Sequence, residues 1–181
     1  MILEPKHDWT WHFDDATDRL ELHLGELCFV TPYHASLLIP DARRGAQFDM
    51  DDADYYRQVL EALALNEGWS APERVQIALN ACAIRRFAKP TMPRSWFFAE
   101  NPQGRAQVQG PALLSLQTPF GRGQCLAVEC FDSSTLCMLL EAPLALSERK
   151  TMAPFDVVKV MNDRLWPSQW QIRRSQYRAV G

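Results

Sequence analysis

Residues 70–96, SAPERVQIALNACAIRRFAKPTMPRSW, decide how the rest of the chain is organised. Ser70 and Glu73 have the spacing of a capping box, in which each side chain satisfies an orphan backbone N–H at a helix start, and Pro72 is tolerated in a first turn. From Val75 to Ala88 apolar or small residues cover far more than one stripe, which predicts a helix buried on most sides. Arg85, Arg86 and Lys89 crowd its end, where cations meet the negative pole of the helix dipole, and Pro90 forbids much continuation. The stretch reads as the central helix of a core that passes into extended chain at Lys89-Pro90.

Upstream, the pattern has period two. Trp9, Trp11 and Phe13 alternate with polar residues, a turn-like cluster runs from Asp14 to Asp18, and Leu20, Leu22 and Leu24 alternate again. Gly25-Glu26 allows a second reversal into Leu27–Val30, so a three-stranded antiparallel meander is expected with its apolar face covered by helices. A short helix is expected at His34–Ile39, a loop from Asp41, and a second helix from Asp51 or Asp52 through Leu65, in which Tyr56, Val59, Leu60 and Leu63 recur at helical spacing. Downstream of Pro90 the grammar changes. Short apolar runs at 96–100, 105–109, 112–116, 124–131 and 135–141 are separated by NPQG, GP, TPFGRG and DSS, which suggests an all-β unit. A short helix is expected from Pro154 through Leu165, and the residues from Ser168 onward offer little periodicity and read as a weakly ordered tail. The fold class is therefore α+β in two small domains: an N-terminal α/β domain over 1–90, and a β domain with a short helix over 91–167 followed by the tail, 168–181.

The composition is that of an ordinary globular chain, 181 residues with 47% hydrophobic and 23% charged. No apolar run is long enough to span a bilayer, and the first residues lack the pattern of a secretory signal, so a cytosolic protein is expected. Five cysteines, Cys28, Cys82, Cys125, Cys130 and Cys137, lie within apolar segments and read as reduced core thiols. The charge is split: 14 acids and 5 bases up to Trp69 give −9, whereas 8 acids and 14 bases from Ser70 onward give +6. Such asymmetry can steer a charged partner.

No phosphate-cradling glycine loop, G-x-S-x-G, H-E-x-x-H or C-x-x-C is present, so no catalytic residue is assigned and the chain is not expected to be an enzyme. No cofactor is expected. His12 and His23 could face each other across the first hairpin with Cys28 nearby, but they read as exposed strand histidines, and no metal is assigned. Cys125 and Cys130, five apart on one strand, are expected on opposite sides, against joint ligation. Asp49, Asp51, Asp52 and Asp54 lack the glycine and closing glutamate of an EF-hand and read as helix capping with a solvated acidic rim. The arginines and aromatics after Arg164 could bind nucleic acid, but a pI near 5.8 argues against such a module.

Leu79-Asn80-Ala81, the run Lys89-Pro90-Thr91-Met92-Pro93-Arg94-Ser95-Trp96-Phe97, and Val160–Leu165 with the following Pro167 resemble the ZapC family of cell-division proteins, as do Asp8–Trp11, Asp18-Arg19-Leu20, Pro40-Asp41-Ala42 and Asp51-Asp52-Ala53. The resemblance runs through about Pro167; the basic, aromatic tail does not share it. It implies a non-enzymatic adaptor of bacterial cytokinesis, cytoplasmic and located at the midcell division ring, that binds FtsZ and promotes lateral bundling of its filaments. It also implies an N-terminal α/β domain and a twisted, β-barrel-like C-terminal domain, with contact through the short C-terminal tail of FtsZ. A monomer that binds neither nucleic acid nor membrane is expected. A nucleic-acid-binding protein or a small-molecule-binding β-barrel is the alternative.

Capture of such a tail needs a groove with an apolar floor and charges nearby. Trp9, Trp11, Leu22 and Phe29 are the candidate floor, and Lys89, Arg94 and Arg164 are candidates for a second, charged surface between the domains. Plain core packing, dipole complement and structural ion pairs are the competing roles for these residues. Leu22→Glu is expected to abolish binding while sparing the fold.

Overall fold

Ser70 caps a 17-residue helix, α2 (Ala71–Phe87), with both halves of the capping box formed: the Ser70 N–H donates to Glu73 Oε2 (2.7 Å) and the Glu73 N–H to Ser70 Oγ (3.4 Å). Residues Ile77–Ile84 of α2 are buried without interruption, as a helix clad on most sides requires. The computed structural model describes residues 2–104 and 108–168, and the chain divides into two units, Met1–Pro90 and Thr91–Gly181.

In the first unit, β1 (Trp9–Asp14), β2 (Arg19–Leu24) and β3 (Leu27–Val30) form the antiparallel meander, and β4 (Ala46–Gln47) pairs with the outer side of β1, giving the order β3-β2-β1-β4. Gly25 adopts a φ of +75°, the conformation that the tight β2–β3 reversal demands and that a side chain disfavours. Trp11 sits opposite Leu22 and Phe13 opposite Leu20, so the apolar residues share one face. That face is closed by α1 (Met50–Ala64) and α2. The Trp9 ring meets Phe48 edge-on at 5.3 Å between centroids and Trp11 meets Phe87 at 5.6 Å, arrangements that aromatic quadrupoles favour.

Asp49 caps α1 in a second capping box, with Asp52 as its partner. Asp52 does not belong to a solvated rim: it is 3% exposed. Its Oδ2 accepts from the Trp11 indole N–H (3.1 Å), the Asp49 N–H (3.3 Å) and the Arg86 guanidinium. Burial raises the Asp52 carboxyl above its ordinary value, while the Trp11 and Arg86 donors pull the other way.

The second unit is a five-stranded antiparallel sheet in the order β10-β7-β6-β5-β11, formed by β5 (Ala112–Thr118), β6 (Gly121–Cys130), β7 (Ser134–Leu139), β10 (Val157–Met161) and β11 (Trp166–Pro167). A separate two-stranded ribbon joins β8 (Leu144–Ala145) to β9 (Thr151–Met152). Among the described residues the sheet is open, with β10 and β11 as its edges; the expected barrel-like closure is not seen. Leu114, Leu116, Cys125, Cys137, Leu139 and Val160 gather in one core cluster.

Several local expectations are corrected. The segment after Pro154 is strand, not helix: Phe155 takes a φ of +71°, Asp156 Oδ2 accepts the Ala153 N–H at 2.8 Å, and Val158 and Val160 turn inward as β10 pairs with β7. Only a 3-10 turn, Asn162–Arg164, follows. The expected helix at His34–Ile39 is one 3-10 turn, Ala35–Leu37, and a second, Pro40–Arg44, occupies the expected loop. Cys125 and Cys130 share a side after all. Val128 is an extra residue in β6, where the register with β7 shifts between Ala127 and Glu129, and this β-bulge turns Cys130 toward the cluster that contains Cys125. All five thiols are free; Cys82, Cys125 and Cys137 are buried as expected, whereas Cys28 is exposed. Trp96 opens no strand but lies in a 3-10 turn, Ser95–Phe97. Residues 105–107 of the expected 105–109 run lie outside the described residues. Of the expected tail, Ser168 is buried and the remainder also lies outside. No helix among the described residues is long and apolar enough to cross a membrane.

Candidate functional site

The most site-like feature of the first unit lies where the chain leaves the meander and returns beneath the end of α2. The Ile39 N–H donates to Phe87 O (2.8 Å) and the Lys89 N–H to Leu37 O (2.9 Å), with Leu38 bridged to Ala88. These bonds hold the two 3-10 turns against the residues that end α2. Between the turns and the sheet lies a cavity of about 320 Å³ with Phe13, Leu38, Ile39, Pro40 and Ala42 among its lining.

Two cations and no carboxylate complete that lining. The Arg43 guanidinium carbon stands 5.4 Å from the centre of the Phe13 ring, and Lys89 Nζ donates to Ser36 O at 3.2 Å. The acid paired with Arg43 is Asp15, 3.9 Å away and well exposed, so solvent screens the pair. An apolar hollow edged by two poorly neutralised cations suits an apolar ligand that carries a negative charge.

The four candidate floor residues lie elsewhere. Trp9, Trp11 and Leu22 are 1%, 1% and 0% exposed and belong to the core between the sheet and the helices. Phe29, half-buried opposite Leu22, extends the same face toward the sheet edge. None of the four lines the cavity; Phe13, from the same alternating pattern, does. A glutamate in place of Leu22 would set a carboxylate in the core, so that substitution tests folding before binding.

Of the candidate cations, Lys89 lines the cavity. The other two belong to the second unit. Arg164 is structural in its contacts: its Nε donates to Ser95 O (3.2 Å), and its guanidinium pairs with Asp163 (3.0 Å) and Glu100 (3.6 Å). Around it, the Met161 N–H donates to Ser95 Oγ (2.8 Å), Asn101 Nδ2 to Leu165 O (2.9 Å) and the Trp166 indole to Ala99 O (3.2 Å). The motif residues on either side of the sheet's return are thus stitched into one patch. Arg94 is exposed, its backbone N–H donating to Lys159 O (2.8 Å), between the exposed Met92 and Trp96.

Arg43 escaped the sequence reading because it fell in a segment read as loop, rich in charge and bounded by Pro40 and Gly45. The usable signal was Pro40 itself, which can open a 3-10 turn as readily as it ends a helix.

Comparison with known proteins agrees with this two-part architecture. Residues 2–89 match the family model for the N-terminal part of cell-division protein ZapC, and residues 90–171 match the model for its C-terminal part. The cell division protein ZapC of Aeromonas hydrophila is 39% identical over 181 residues, 99% of this chain and 99% of that protein. That of Ferrimonas balearica is 44% identical over 170 residues, 93% and 94% of the two chains, and that of Vibrio cholerae 34% identical over 169 residues, 91% of each. With both halves matched in order and relatives aligned over nearly their whole lengths, this chain belongs to the ZapC family of cell-division proteins.

Proposed function

We propose that the protein is a non-enzymatic adaptor of the division ring, which captures the C-terminal tail of FtsZ in the cavity beside Phe13 and so promotes sideways association of FtsZ filaments. The observation that carries the tail-binding part is the cavity's make-up: an apolar hollow whose charged lining residues, Arg43 and Lys89, are both cationic. FtsZ enters through the family resemblance, which implies a tail bearing apolar and charged residues. In this reading the tail's apolar residues lie on Phe13 and Ile39, and a carboxylate meets Lys89 or Arg43. Trp9, Trp11, Leu22 and Phe29 act indirectly, as the packed layer that fixes the sheet carrying Phe13.

Arg94, with Met92 and Trp96 beside it, is the proposed second contact, and Arg164 holds the neighbouring segment in shape. Two weak contacts on one monomer suffice to join filaments, because many such molecules along a polymer act together through avidity. The proposed setting is the cytoplasmic face of the ring at midcell, with neither membrane nor nucleic acid as partner.

Co-sedimentation with FtsZ, intact and lacking its tail, tests this. Pelleting with intact FtsZ should be lost without the tail and weakened by Lys89→Glu, Arg43→Glu or Ile39→Asp, each at a residue that is not fully buried. Equal pelleting with both forms of FtsZ removes the tail from the mechanism. Unchanged binding by all three variants removes the cavity.

A further inference from the structure

The face of the meander opposite Trp9 and Trp11 carries Thr10 and His12 on β1, Glu21 and His23 on β2, and Cys28 on β3. His23 stands opposite Cys28 and His12 opposite Glu21, so pleat and register bring four metal-competent side chains to one side of three adjacent strands. The ligand atoms of Glu21, His23 and Cys28 all lie within 4.8 Å of one another.

The closer distances are more telling. His23 Nε2 lies 3.2 Å from Glu21 Oε2, and Cys28 Sγ lies 3.5 Å from the same oxygen. A tetrahedral zinc ion with N and O ligands at about 2.0 Å and S at about 2.3 Å has ligand–ligand edges of roughly 3.3–3.6 Å. The nitrogens of His12 fall outside that 4.8 Å group, but its ring is 5.1 Å from that of His23 between centroids, so a turn of the exposed His12 side chain would bring a nitrogen to the same ion. Two imidazoles bound to one tetrahedral ion through their nitrogens stand roughly 5 Å apart by the same geometry.

We propose that Glu21, His23 and Cys28, with His12 as fourth ligand, form a binding site for a borderline-soft divalent cation, Zn²⁺, on the solvent face of the meander. A nitrogen, oxygen and thiolate set selects Zn²⁺ over Mg²⁺ and Ca²⁺, which favour oxygen shells. On binding, the Cys28 thiol gives its proton to solvent and the cation takes its place beside Glu21.

The site also has a mechanical consequence. β3 is the outermost strand of its sheet, four residues long and mostly exposed, and a metal bound to Cys28 from β2 and β1 ligands clips it to the meander. In the sequence the strand pattern brings His12, His23 and Cys28 near one another, whereas Glu21 reads as an ordinary solvent-facing strand residue.

The test uses the full chain, reduced with a phosphine and freed of metal, titrated with Co²⁺ and then Zn²⁺. The expected result is one equivalent bound, with the thiolate charge-transfer and visible bands of tetrahedral Co²⁺, displacement of that spectrum by Zn²⁺, and a higher melting temperature with Zn²⁺. Cys28→Ser should abolish the charge-transfer band and His23→Ala should abolish binding. His12→Ala should weaken binding while retaining the band. His34→Ala, altered at an imidazole that lies with Asp18 and Arg19 instead, should bind as wild type. Circular dichroism of the metal-free variants checks that each is folded. Failure of the wild-type chain to bind, or a Co²⁺ spectrum unchanged by Cys28→Ser, overturns the site; unchanged affinity in His12→Ala overturns the fourth ligand.

Discussion

Asp52 offers the sharpest test of what holds the first unit together. Three donors, the Trp11 indole, the Asp49 amide and the Arg86 guanidinium, converge on its single atom Oδ2. Asp52→Ala removes that acceptor entirely. The indole of Trp11, 1% exposed, then has no acceptor there, at a cost of about 1–3 kcal/mol, and loss of the reciprocal cap bond adds about 0.5–1 kcal/mol. Arg86 suffers less than a fully buried cation would: 27% of its side chain is exposed, Gln47 O accepts from it at 2.8 Å, and Asp49 lies 3.5 Å away. The total is about 3 kcal/mol. Asp52→Asn retains an oxygen where all three donors point and removes only the charge, whose burial is itself unfavourable, so its cost should be about 1 kcal/mol or less. Urea denaturation followed by circular dichroism and tryptophan fluorescence gives both values. The pH dependence has a definite sign. Because the folded-state pKa of Asp52 is raised, its stabilising contribution is complete below the unfolded value, about 4, and falls as pH rises through the folded value. The deficit of Asp52→Asn relative to wild type should therefore shrink as pH rises from about 4. Equal losses in the two variants would show that the charge, not the shared acceptor, does the holding.

Other perturbations reach different parts of the chain. Ser70→Ala removes the acceptor for the Glu73 N–H and should cost about 1 kcal/mol in urea titrations, with Ser70→Gly costing less. Gly123→Ala places a methyl 2.8 Å from Leu139 Cδ1 and 2.9 Å from Leu144 Cδ2, both in the second unit's core, and should destabilise by about 1–3 kcal/mol; a gain in stability would mean that the cluster yields freely. Asp18 is held below the ordinary carboxylate value, first by the Ala35 N–H and then by His34, so its contribution is present above about pH 4 and is lost as pH falls through the lower folded value. Asp18→Asn should flatten the acid limb of the stability profile, and a limb identical to wild type would refute that assignment.

Much of this architecture is legible because local signals and tertiary demands coincide. Ser70 with Glu73, and the helix-spaced apolar residues of α1, state in sequence what the helices do in space, and the alternation of Trp9, Trp11, Phe13, Leu20 and Leu22 states the sheet face. Misreadings arose where an ambiguous pattern was settled by a distant partner. Val157, Val160, Met161 and Arg164 fit helical spacing, yet the same stretch holds the alternation of Val158 and Val160 that pairing with β7 selects. Asp52 looked like one more acid in an acidic run, and only Arg86, 34 positions away, and Trp11, 41 away, explain its burial. The candidate site divides likewise. Lys89 was visible as a cation at a helix end, whereas the cavity it edges depends on two 3-10 turns held by backbone bonds to Phe87, the last residue of α2, and to Lys89 just after it.

The supernumerary Val128 has a further implication for how the second unit can change. Everything in β6 beyond it faces the way it does because of an odd residue count, so removing one position there would turn Glu129 toward the side that Cys125 lines and take Cys130 away from it. Length variation in that segment is therefore governed by parity: changes of two preserve which of the sheet's two faces each residue takes, while a change of one must be answered by a second elsewhere along the same strand.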